Sequence, residues 1–77
     1  MDDDVLKFLI EQVQWAKEQE VILAKIEGKL RVMRTLAQYR LQYVLTAQEI
    51  VNLQQQIDVL QLEIDELEHQ LNSNIVH

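Results

Sequence analysis

Leu45-Thr46-Ala47-Gln48-Glu49-Ile50 is the stretch that decides the fold. Thr46 and Glu49 stand three apart, the spacing of a capping box. In that motif a Thr hydroxyl accepts from the backbone of the third helical residue and the Glu side chain reaches back to the Thr backbone N–H. Leu45 and Ile50 flank the box where a hydrophobic staple places its two apolar residues. A helix therefore starts at about residue 47, and the spacing predicts a turn at about 44–46.

C-terminal to the box, Ile50, Leu53, Ile57, Leu60, Ile64, Leu67 and Leu71 recur at alternating spacings of three and four, an unbroken heptad stripe. N-terminal to it, Leu23, Ile26, Leu30, Met33, Ala37, Arg40 and Val44 follow the same rhythm. Carried forward, the first frame asks for its next member at 51, whereas the second resumes at 50. One long helix with a skipped residue absorbs such a slip, but together with the cap it favours a chain reversal.

If the chain reverses, facing residues have numbers with a constant sum. Ala37 with Leu53, Met33 with Ile57, Leu30 with Leu60, Ile26 with Ile64 and Leu23 with Leu67 all sum to 90, so these ten residues form the expected core of an antiparallel hairpin. Lys29 and Glu63 then flank the seam as an ion pair. The expected architecture is all-α: a long helix over about 4–44, a second over about 47–72, and a loose tail at 72–77. Gly28 falls on the face away from the expected seam, where it costs about 1 kcal/mol relative to Ala without opening a gap.

Composition supports the helical reading. The 77 residues include no Pro, no Cys and one Gly, so little interrupts a helix and no disulfide supports a small core. A single domain of this size commonly needs disulfides, a metal or association for stability, and association is the expected support here. The net charge is −6, distributed in blocks. Residues 1–20 hold six acids and two bases, residues 21–45 one acid and five bases, and residues 46–77 six acids and no base. This balance disfavours a nucleic-acid binder, which needs cations to displace counterions from phosphates. The acidic start lacks the basic flank of a secretory signal, and no apolar run approaches the roughly 18 residues of a membrane span. A cytoplasmic protein with no membrane partner is the expectation.

The second helix matches only residues 20–44 in length, so residues 4–19 overhang. They include Leu6, Phe8, Leu9, Val13 and Trp15, which need cover from another chain or from a fold-back at Lys17-Glu18-Gln19-Glu20. A second apolar line, Ile22, Val32, Leu36, Tyr39 and Tyr43, extends from Phe8 and Trp15 along the same helix. These ten residues are the expected oligomer interface, and a homodimer in a multi-helix bundle is the simplest arrangement that covers both faces.

No catalytic constellation is present, and neither a cofactor nor a small-molecule substrate is expected. Glu66 and His69 have the Glu-x-x-His spacing found in bundle metal sites, but Leu67 takes the core position between them. A metal site is therefore not expected.

The strings Ile26-Glu27-Gly28-Lys29-Leu30-Arg31-Val32-Met33-Arg34 and Leu45-Thr46-Ala47-Gln48-Glu49-Ile50 resemble short uncharacterised coiled-coil proteins of Bacillus-type bacteria and their mobile elements. The resemblance implies no activity. Two functions remain open. One is a non-catalytic helical protein that self-associates and serves as an adaptor, assembly or regulatory factor for a protein partner. The other is an acidic mimic of nucleic acid, presenting Asp58, Glu63, Asp65, Glu66 and Glu68 to a DNA-binding protein.

Overall fold

The computed structural model describes residues 2–75 and consists of two helices packed as a hairpin, α1 (Asp3–Gln42) and α2 (Ala47–Ile75). Its principal extents are 66 × 19 × 12 Å, the longest being close to the roughly 60 Å length of a 40-residue helix at 1.5 Å per residue. Residues 72–75, expected in a loose tail, continue α2, and residues 76 and 77 lie outside the described residues.

Local chemistry sets the helix ends. Asp2 is the N-cap of α1, its carboxylate accepting from the Asp4 N–H at 3.0 Å. Asp3 and Asp4 in the first turn and Arg40 in the last match the helix dipole. At the other end Tyr43 turns to an extended backbone (φ −122°, ψ 145°) while its N–H still donates to the Tyr39 carbonyl at 3.2 Å. The helix thus stops at residue 42, two residues before the expected 44. The capping box is formed in both directions. The Glu49 N–H donates to Thr46 Oγ1 at 3.1 Å, and the Thr46 N–H donates to Glu49 Oε1 at 3.3 Å. Leu45 and Ile50 are both half-buried beside it.

The seam of α2 is the stripe the heptad marks. Leu53 and Ile64 are buried, and Ile50, Ile57, Leu60, Leu67 and Leu71 are half-buried. The seam of α1 differs from the expected one. Besides Gly28, its covered residues are Gln19, Ile22, Ile26, Lys29, Met33 and Leu36, again at alternating spacings of three and four. Ile26 and Met33 belong to both frames, but Leu23, Leu30 and Ala37, expected in the core, are exposed. Ile22 and Leu36, expected at the oligomer interface, are instead partly covered within the hairpin.

The observed frame places Lys29 itself at the seam. With α1 turned to bring residue 29 rather than 30 to the seam, the lysine stem covers apolar surface while its ammonium reaches Glu63. The ion pair closes at 2.7 Å.

Candidate interaction surface

Three surfaces remain on this hairpin. The first is the N-terminal part of α1, which extends past α2. Residues 3–18 are exposed throughout, and Gln19, expected in the overhang, is the first residue under cover. Val5, Leu6, Phe8, Leu9, Ile10 and Val13 are each between 47% and 58% exposed. Trp15 is also exposed. The overhang is straight: α1 passes through Lys17-Glu18-Gln19-Glu20 without a break, so it does not fold back.

The second surface is a shallow groove along one side of the seam. One part, of about 650 Å³, is lined by Lys25, Gly28, Lys29, Val32, Leu60, Glu63, Glu66, Leu67 and Gln70. It continues past Val32 and Leu36 on α1 and Asn52, Gln55, Gln56 and Val59 on α2. Gly28, expected away from the seam, is half-buried and lines this groove, and a Cβ at that position would meet nothing within 4 Å. Toward the turn the groove side ends in Tyr39 and Tyr43. Both are exposed, their rings 4.7 Å apart and tilted by 36°.

The third surface is the acidic outer face of α2. Gln54 donates to Asp58 and Gln61 to Asp65, both at 2.9 Å, while on the groove side Gln48 donates to Asn52 at the same distance. Each of these one-turn pairs stabilises a helix by a few tenths of a kcal/mol, and they fix Asp58 and Asp65 on a polar, solvated ladder. The five acids singled out from the sequence do not form one array. Glu63 and Glu66 line the groove, and Glu63 is already paired with Lys29, whereas Asp58 and Asp65 belong to the outer ladder.

Gln19 was not legible as a seam residue because it is polar. It is only 6% exposed, and neither its side-chain oxygen nor its nitrogen has a hydrogen-bond partner. The available signal was position, since Gln19 lies seven residues before Ile26 and fourteen before Met33 in one heptad register. Among the described residues no group of three or more His, Cys, Asp or Glu side chains is arranged to hold a metal ion. Nor is any described helix long and apolar enough to cross a membrane.

No protein-family model, curated protein or solved structure matches the chain.

Proposed function

We propose that the chain is a non-catalytic helical interaction protein that self-associates through α1 and serves as a cytoplasmic adaptor, assembly or regulatory factor for a protein partner. The observation that carries this reading is the overhang. Six large apolar side chains between Val5 and Val13 are half exposed, while only Ile26, Leu53 and Ile64 are buried apolar residues among those described. Fully burying one such side chain is worth roughly 1.5–3 kcal/mol, so covering the overhang adds substantially to a hairpin with few fully buried apolar residues. A continuous apolar surface of this kind is typical of an interface rather than of a solvated monomer.

Association then supplies the stability that a two-helix chain lacks, and melting temperature rises with protein concentration. Sedimentation of the native chain at micromolar concentration tests this. The expected species has at least twice the 9.1 kDa chain mass, and changing both Leu9→Asp and Val13→Asp abolishes it. A well-folded species at the chain mass overturns the reading.

A further inference from the structure

The rotation of α1 that pairs Lys29 with Glu63 leaves a line of its surface without cover. Leu6, Leu9, Val13, Leu23, Leu30 and Leu41 share one heptad register, completed by Ala16 and Ala37, and all are exposed. Leu23 and Leu30 are the decisive members. Placed outside the hairpin seam, they join the apolar residues of the overhang to those of the turn, giving one stripe along the whole of α1. It lies roughly a quarter turn around the helix from the seam. Three charged residues interrupt it, Glu20, Glu27 and Arg34, and Glu27, Leu30, Arg31 and Arg34 together line one shallow depression.

We propose, building on the self-association reading above, that this stripe docks antiparallel on the same stripe of a second copy, with facing residue numbers summing to 50. Length fixes the register. Core layers of an antiparallel helix pair repeat in steps of seven, and the sum of 50 lays the full stripe on itself. It sets Leu9 against Leu41 and Val13 against Ala37 of the second copy at the two ends, while the middle layers set Ala16 against Arg34, Glu20 against Leu30 and Leu23 against Glu27. One step lower leaves Leu41 and Val44 facing the start of the chain. One step higher carries Leu6 and Leu9 past the end of the second copy's α1. Leu41, 87% exposed, is then covered by the overhang that itself lacks cover.

Charge selects the direction. Residues 1–20 carry −4 and residues 21–45 carry +4, so antiparallel docking sets opposite blocks together and a parallel, in-register pair stacks like on like. Arg34 comes within one turn of Glu20 across the interface. Rows of apolar residues a quarter turn apart on α1 suit a bundle of four helices, two from each copy.

The absence of Cys makes the test direct. Leu9→Cys and Leu41→Cys variants, one carrying a mass tag, are mixed and treated with a short thiol-to-thiol cross-linker, and sedimentation of the uncross-linked variants is followed in parallel. The expected product joins the Leu9→Cys chain to the Leu41→Cys chain, and neither variant alone cross-links. Self-linking of the Leu9→Cys variant shows parallel docking and overturns the proposal while leaving self-association intact. The same holds for an assembly that cross-links in no arm. A monomeric native chain overturns both.

Discussion

Lys29 Nζ donates to Glu63 Oε2 at 2.7 Å, a contact between residues 34 apart in sequence that ties the middle of α1 to α2 across the seam. With side chains 29% and 44% exposed, the pair is worth no more than about 1 kcal/mol. Its importance is geometric. A lysine at residue 29 is accommodated at the seam only if its head group has somewhere to go, and Glu63 provides that place. In the same orientation of α1, Leu23 and Leu30 face outward.

Gly28 provides a test of whether the groove beside it is open. It sits inside α1 with no positive φ, and a Cβ there meets no atom within 4 Å. Helix propensity then acts without a steric penalty, so Gly28→Ala is expected to stabilise the chain by about 0.5–1 kcal/mol. Urea unfolding at fixed protein concentration measures this. Destabilisation instead shows that the groove beside Gly28 is filled by a closely packed helix.

The ease with which different parts of this fold were legible follows from how local their causes are. The turn was readable because the Thr46 and Glu49 side chains bond backbone groups within three residues of themselves. The seam of α2 was readable because that helix carries only one complete apolar heptad. In α1 two heptads interleave, Ile22, Lys29 and Leu36 beside Leu23, Leu30 and Ala37, sharing Ile26 and Met33. Spacing alone cannot choose between them, and by hydropathy Leu30 outranks Lys29. The choice is made by packing against α2, a tertiary cause invisible to a reading of α1 alone.

Gln19 marks the far end of the same seam and carries a cost. Its amide is buried with both polar ends unpaired, and such a group forfeits roughly 1–3 kcal/mol of hydration without compensation. Gln19→Leu replaces it with an apolar side chain of similar size in a heptad position. The expected result is a gain of about that size in urea unfolding, at constant protein concentration because association contributes to the midpoint. A loss of stability shows that the Gln19 amide finds its partner in the assembled protein.

The two heptads of α1 are expected to separate experimentally, because one holds the hairpin and the other, as proposed, holds two copies together. Ile64 is 2% exposed, and truncating a side chain so fully enclosed costs about 2–5 kcal/mol through lost contacts and a residual cavity. Leu30 is 50% exposed in the hairpin, so its truncation removes little from an isolated chain. Ile64→Ala is therefore expected to lower the melting temperature at every protein concentration. Leu30→Ala acts mainly through association: it weakens the dimer, so its melting curve falls to that of the isolated chain at a higher protein concentration than the native protein's does. Thermal unfolding of both variants over a hundredfold range of concentration distinguishes the two. If Leu30→Ala is as costly as Ile64→Ala at concentrations low enough to leave single chains, Leu30 belongs to the intrachain core and α1 is turned the other way. If it changes neither stability nor its concentration dependence, Leu30 is solvated and the stripe is not an interface.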